Sequence, residues 1–413
     1  MKVLVLNSGS SSVKYQLIET SLEMIEADSD HAIARGSVER IGTSSAVHTY
    51  RPAGREKRSE VKEILEHRVA IAEIIQTLTQ PSTGVIGRAE EIEAVGHRMV
   101  HGGEKFTRSA LCTPEVVQQI EDCSELAPLH NPHNLRGFYA AREILPAVPH
   151  AAVFDTSYHQ TMPPHAYLYG LPYVLYTRHS IRRYGFHGTS HRFVAWRSRV
   201  LLGRPREETR LITCHLGNGA SMCAIDHGRS IDTSMGFTPL EGLLMGTRCG
   251  DLDPSVLFYV MHKEDLTEHQ ATTLLNKHSG LYGLSGVSND MAEVLAAEAQ
   301  GNERAKLALD VFCYRVKKHV GAYAAALGGV DAIIFTGGIG ENAAPVRART
   351  LAGLEFLGVR LDAGKNAAAV GGKEADISAP EATVRTLVIP TNEELIIARD
   401  TLRLVVGKLH PGS

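Results

Sequence analysis

Two arginines stand among glycines, with no helical face to claim them. Arg98 lies in Gly96-His97-Arg98-Met99-Val100-His101-Gly102-Gly103, and Arg248 in Gly246-Thr247-Arg248-Cys249-Gly250-Asp251. A guanidinium is planar, permanently charged and carries a fork of donors that matches a carboxylate or a phosphate. The pair therefore points to recognition of small anions; the alternative is loop anchoring through backbone carbonyls. Histidines add to this. His97/His101 and His187/His191 each have i, i+4 spacing, which invites a zinc site. Neither pair carries the glutamate of an H-E-x-x-H helix, and Gly188 and Gly102-Gly103 fit a helix poorly, so ligation by histidine is not expected. His187 suits a donor to developing phosphoryl charge, and His191 a structural role.

Three small-residue turns could cradle phosphate. Val3–Leu6 leads into Asn7-Ser8-Gly9-Ser10-Ser11-Ser12, and Leu211–Leu216 into Gly217-Asn218-Gly219-Ala220-Ser221. The third is Thr336-Gly337-Gly338-Ile339-Gly340-Glu341-Asn342, after an apolar run and ahead of a helix. Small side chains let backbone N–H groups approach an anion closely. The third turn is not a G-x-G-x-x-G fingerprint, and no acidic residue follows at the dinucleotide distance. There is no G-x-x-x-x-G-K-[ST] segment either. A nucleotide would therefore bind between hairpin turns and a glycine-rich strand–helix turn.

The elements that must position these residues alternate between strand and helix patterns, the mark of an α/β protein. Lys2–Leu6, Ala94–Val100, Ala151–Phe154 and Ala332–Thr336 read as strands. Val61–Leu78, Arg304–Leu327 (stopped by Gly328-Gly329) and Glu393–Val405 read as helices. The first two turns each join two strand patterns, half a chain apart, which suggests a duplicated domain. A chain of 413 residues has room for two or three domains, and no linker interrupts it. The formal net charge of -3 offers no bulk basicity for nucleic acid, and no apolar run can span a bilayer. The first apolar run is too short for a signal peptide, so a cytoplasmic place is expected. The six cysteines contain no C-x-x-C pair and read as buried thiols in a reducing compartment.

These segments, from Asn7-Ser8-Gly9-Ser10-Ser11-Ser12-x-Lys14 through Arg183–His191 and Asp232–Arg248 to Pro390-Thr391-Asn392-Glu393-Glu394, resemble the acetate kinase family over essentially the whole chain. The resemblance implies a duplicated actin-like, ribonuclease H-like α/β fold in two domains, with the active site in the interdomain cleft. The N-terminal domain would comprise residues 1–155 plus 393–413, and the nucleotide-binding domain residues 156–392. It implies phosphoryl transfer from ATP to acetate, Mg²⁺ (with Mn²⁺ as a substitute) and a homodimer. Propionate or butyrate kinase, and a regulatory ATPase of the Hsp70 or actin type, are the alternatives.

Carried over by position, Asn7 and Glu393 would hold Mg²⁺, and Ser10, Ser12 and Lys14 would form the first phosphate turn. Arg98 would bind the acetate carboxylate, with Val100, Leu129, Phe186 and Pro239 around its methyl group. Asp155, His187 and Arg248 would serve catalysis. His215, Leu216, Gly217, Asn218 and Gly219 would form the second phosphate turn. Asp290, Met291 and Ala292 would hold the adenosine with Gly338, Ile339, Gly340, Glu341 and Asn342. The chemistry agrees with these residue types. Acetate is already a nucleophile at neutral pH, so the need is for charge neutralisation and not for a strong base. Asp155, a carboxylate beside two anions, is expected to orient an arginine or the metal's waters. The apolar set leaves room for little more than a methyl, which ranks acetate first, propionate second and butyrate last.

Overall fold

The computed structural model describes residues 1–128 and 130–408. The chain folds as two compact units, one formed by Met1–Ser157 with the chain from Asn392 onward, the other by Tyr158–Thr391. The expected division lay one or two residues away at each crossing. Near the crossings the Thr156 hydroxyl accepts from Gly102 N, Ser157 Oγ donates to Phe154 O, and Asn392 caps the last helix by accepting from Leu395 N.

The first unit is built on eight strands: β1 Lys2–Ser8, β2 Ser12–Glu19, β3 His31–Glu39, β4 Thr43–Pro52, β5 Arg58–Ile64, β6 Ala94–Met99, β7 Ala110–Leu111 and β8 His150–Phe154. Their order is β5-β4-β3-β2-β1-β6-β8-β7. The Val3–Leu6 run becomes a buried central strand, antiparallel to β2 and parallel to β6. One face packs Leu4, Leu6, Val13 and Leu17 against Ile71, Ile74 and Leu78 of the helix His67–Thr79. The other carries the terminal helix Glu393–Val405. Gly96 permits that docking. A Cβ there would lie 2.5 Å from Thr401 Oγ1 and 2.7 Å from Ile397 Cγ2.

The expected helix Val61–Leu78 is two elements. Arg58–Ile64 is edge strand β5, and the helix begins only at His67. Val61 and Ile64, three apart, fit a helical period and not an alternating one, so the free edge of β4 decides, with Val47 opposite Val61. Val61 is left 67% exposed.

The second unit has six strands: β9 Arg210–Leu216, β10 Ala220–Asp226, β11 Arg229–Thr233, β12 Ala332–Thr336, β13 Ala375–Asp376 and β14 Arg385–Val388, in the order β11-β10-β9-β12-β14-β13. β9 is antiparallel to β10 and parallel to β12, which is parallel to β14. The order β11-β10-β9-β12-β14 repeats β3-β2-β1-β6-β8 of the first unit, senses included. The duplication legible in two hairpins thus extends over five strands. The helix Glu303–Leu327 runs from an Asn302 cap to Gly328 in the left-handed conformation. Gly188, expected to resist a helix, opens the helix Gly188–Leu202, with His187 as its cap at φ 56. All six cysteines are free thiols, but Cys112 and Cys249 are only partly buried.

Gly96→Ala should therefore push the terminal helix off the sheet and destabilise the first unit by roughly 1–3 kcal/mol, the usual scale of overpacking. Hydrogen exchange across residues 393–405 and the melting temperature are the readouts. An unchanged melting temperature would show that the helix does not rest on Gly96.

Candidate active site

In the first unit, Arg98 and Asp155 leave the ends of two adjacent parallel strands, β6 and β8. Arg98 donates through Nε to Asp155 Oδ1 at 3.0 Å and through Nη2 to Oδ2 at 2.6 Å. Glu393, at the start of the terminal helix, lies 3.7 Å from Arg98 Nε. Burial works against the Arg98 charge, yet the Asp155 and Glu393 carboxylates outweigh it and hold the guanidinium above its ordinary range. Burial, and then Glu393, push Glu394 up. Asn7 faces Lys14 across the hairpin, and one step beyond the Leu6–His97 pairing it falls beside Arg98. Ser10 and Lys14 are exposed, and Ser12 half-buried.

Val100 is the first residue past β6 and half-buried. Its backbone is fixed by residues that sequence reasoning passed over. Val100 N donates to Asn134 Oδ1 and His101 N to Asn131 Oδ1; Asn134 Nδ2 donates to Ser8 O. Both asparagines are buried on the helix Asn131–Ile144. Polar residues on a buried helix face were the signal that could have found them. Leu129 lies outside the described residues.

The second unit gathers its candidates around the β9–β10 turn. His187 Nδ1 shares a hydrogen bond with Ser221 Oγ at 3.0 Å, and its ring stacks on His215 at 4.2 Å between centroids. His215 Nδ1 is bonded to Ser190 Oγ, which accepts from Thr391 Oγ1. Ser221 Oγ also meets His191 Nε2 at 2.7 Å, and His191 Nδ1 meets Thr213 Oγ1. Ser221, placed opposite His215 on the next strand, is the hub that sequence reading missed. A Cβ on Gly219 would lie 3.5 Å from Arg248 Nη1 and 3.6 Å from His187 Cε1. The turn, the histidine and the arginine thus converge on one spot. Arg248 donates to Pro239 O at 3.2 Å and touches Met245 Sδ; among the described residues no carboxylate pairs with it, and burial holds it below its ordinary value. Phe186 is buried and Pro239 half-buried. Arg183 ties down the stretch leading to Pro239 through the carbonyls of Thr233, Ser234 and Met235 and through Glu241.

The remaining turns meet the same place. Thr336 pairs with His215, and a Cβ on Gly337 (φ +76) would lie 2.7 Å from Leu216 O, so Gly337 is what lets the two turns touch. Gly338 and Asn342 are exposed, whereas Ile339 and Gly340 are buried. Glu341 is turned inward, accepting from Gly337 N and Thr391 N. Gly217 N donates to Gly219 O, and Asn218 accepts from Gly246 N and Asn289 Nδ2, which brings the Asp290 loop alongside. Asp290 caps the next helix through Ala292 N; Ala292 is exposed, but Met291 is buried and faces the core.

A duplicated sheet of this topology, with serine- and glycine-rich turns after its first strands, defines the actin-like fold class. The profile of the acetokinase family matches residues 2–399. An acetate kinase of Desulfitobacterium hafniense is 57% identical over 405 residues, 98% of this chain and 99% of that protein. The crystal structure of Porphyromonas gingivalis acetate kinase superposes with a TM-score of 0.92 at 48% identity, covering 98% of this chain and 99% of that one. A propionate kinase structure from Francisella tularensis gives 0.89 at 40% identity, over 98% and 99%. The chain belongs to the acetokinase family.

Several buried histidines make the fold acid-sensitive. Burial holds His159 down to about 4 and His101 down to about 3, and keeps His97 and His191 well below their ordinary range. The Nδ1 of His101 accepts from Gly103 N, as a neutral ring must. The unfolded chain takes up these protons near pH 6.5, so it binds more of them below that pH and gains on the fold. Stability is complete above about pH 6.5 and falls towards pH 4, by up to ~1.4 kcal/mol per pH unit for each histidine. Urea midpoints at pH 7.5, 6 and 5 should drop in that order; a flat series would contradict the neutral assignment.

Proposed function

We propose that the protein transfers the γ-phosphoryl group of ATP to acetate, directly and reversibly, giving acetyl phosphate and ADP. The observation that carries this is the match to acetate kinases at 57% identity along the length of the chain. A regulatory ATPase of the Hsp70 or actin type is not favoured.

The geometry supports a division of labour. Arg98 gives its Nε–Nη2 edge to Asp155, so Nη1 and the end of the fork remain to receive the acetate carboxylate. Asp155 is a positioning residue here and takes no proton. Arg248 and His187, brought together at Gly219, stabilise the charge that spreads over the transferring phosphoryl group in a loose transition state. Ser221 holds the His187 ring in place. Ser10, Ser12 and Lys14 on one unit, and the His215–Gly219 turn on the other, bind the phosphates. Gly338 and Asn342 offer the exposed contacts of the glycine-rich turn to the adenosine, along with Asp290 and Ala292. Ile339, Gly340, Glu341 and Met291 shape that turn from beneath.

Asn7 and Glu393 form an oxygen-only donor set, an amide and a carboxylate. That suits Mg²⁺, which keeps most of its waters and takes further ligands from phosphate oxygens. When bound, the ion neutralises charge on the β- and γ-phosphates. Val100, Phe186, Pro239 and Leu129 are proposed to enclose the methyl group. A homodimer belongs to the same reading, since Phe258 and Tyr259 on the helix Pro254–Lys263 are 69% and 63% exposed. So does a cytoplasmic location, where free thiols persist.

Hydroxylamine trapping of acyl phosphate, with ATP and Mg²⁺, tests the reaction across acids. The expected order of kcat/KM is acetate, then propionate, then butyrate, with each methylene worth roughly 10- to 200-fold. No trapped acyl phosphate from any of the three would overturn the reading. Within the reaction, Arg98→Ala should raise the acetate KM and lower turnover, while Arg248→Ala should lower kcat by roughly 100- to 1000-fold with KM little changed. Lysine should rescue neither well. A folded alanine variant with near-normal kcat/KM would remove that arginine from the mechanism.

A further inference from the structure

Four cations of the first unit border one open groove. Lys14 on β2, Arg35 on β3, Arg51 on β4 and Lys57, just ahead of β5, line a cavity of about 280 Å³ on the sheet face. Among the described residues none of the four side chains makes a hydrogen bond or an ion pair. Arg98, Arg68 and Arg399 of the same unit are, by contrast, ion-paired with Asp155, with Glu143 and with Asp28 and Asp30.

The register sharpens the point. Arg35 stands directly opposite Arg51, and Gln16 directly opposite Arg35. Like charges facing each other across a strand pair destabilise a sheet. Side chains alternate, so Lys14, Gln16, Arg35, Ser37, Thr49 and Arg51 all rise from one face, while Tyr15 and Tyr50 are buried on the other. Ser37 Oγ and Thr49 Oγ1 lie 3.0 Å apart between the cations and add hydroxyls to the floor. Glu394 is the one carboxylate at the rim. Opposed guanidinia over a hydroxyl floor, neither of them ion-paired among the described residues, make a receptor for negative charge.

We propose that this groove binds a small multivalent anion, carrying two or three carboxylate or phosphate groups, with Arg35 and Arg51 as its principal anchors. Its size suits a metabolite and not a polymer. Lys14 belongs both to the groove and to the first serine turn. An occupant therefore competes for that ammonium with phosphate held at the turn, and acts as an inhibitor. The inhibition rests on the role proposed above for Lys14; the binding does not.

The test uses the full chain and two probes, tricarballylate and inorganic tripolyphosphate. Each is titrated calorimetrically without Mg²⁺, with sodium chloride holding ionic strength constant. Wild type is compared with the double variant Arg35→Gln, Arg51→Gln. Neither arginine is part of the transfer machinery, so the variant should keep wild-type acetyl phosphate formation, and melt no lower, because like charges have been removed. The expected result is one site per chain for at least one probe, weakened roughly ten-fold or more in the variant. The probe that binds more tightly identifies the anionic group. Equal affinity of both probes for the two proteins, or no binding of either to wild type, would overturn the proposal. Either result leaves the transfer reaction, assayed separately, untouched.

Discussion

A guanidinium proposed to receive a small carboxylate gains little if it sways. Asp155 holds one full edge of the Arg98 fork from the neighbouring parallel strand, where it follows the residue opposite Met99. That arrangement depends on the rest of the unit. Asp155 N donates to Met99 O, extending the pairing past the strand ends. Asn131, Asn134 and Thr156 fasten the chain beyond β6. The bare Cα of Gly96 lets the terminal helix close on the sheet, and its first turn then carries Glu393 to Arg98. Burying a paired charge is tolerable; burying a lone one is expensive, so the carboxylate keeps Arg98 charged where it stands.

The second unit follows the opposite rule. Arg248 is fixed by a carbonyl and a thioether, and no carboxylate among the described residues pairs with it. A carboxylate there would cancel the charge that a transferring phosphoryl group has to meet. The surrounding scaffold is likewise neutral, built from Ser221, Thr213, Ser190 and Thr391 and from a buried His191 that burial keeps uncharged. Positive charge is thus concentrated where an anion can use it. One arginine is held by a counter-ion and the other by dipoles, a difference that suits ground-state binding for the first and transition-state stabilisation for the second.

Much of this was legible in the sequence, for identifiable reasons. Turns speak plainly because few residues tolerate close backbone approach, so the serine and glycine clusters could be placed without a structure. The strands behind them are continuous apolar runs with equally little ambiguity. The helix read into Val61–Leu78 failed because Val61 and Ile64, three apart, do fit a helical period, and only pairing with the exposed edge of β4 draws this stretch into a strand. The supporting polar shell was also hidden. Asn131, Asn134 and Ser221 act through contacts with residues distant in sequence; the asparagines' place on a buried helix face was their one local signal, and Ser221 had none. Glu341 misleads differently. It sits in a turn suggestive of ligand binding, but its carboxylate holds the turn together.

The duplication explains why one fold can hold two unlike substrates. In both units the carboxyl ends of the first and fourth strands of the shared motif carry the groups proposed to bind, the position general for open α/β sheets. After the first strand come Ser8–Ser12 in one unit and Gly217–Gly219 in the other. At the end of the fourth come Arg98, the last residue but one of its strand, and Val100 just beyond it in one unit, and Gly337 and Gly338 in the other. The first unit thus spends this position on a side chain, which can select a carboxylate. The second spends it on bare backbone, which can approach a nucleotide. Gly337 must stay free of a Cβ because Leu216 O is 2.7 Å from where one would lie, so the close approach and the left-handed turn are a single requirement. The two copies share the order and senses of five strands, so on the proposed reading it is the residues at the ends of equivalent strands, more than the shared motif, that set which ligand each unit takes.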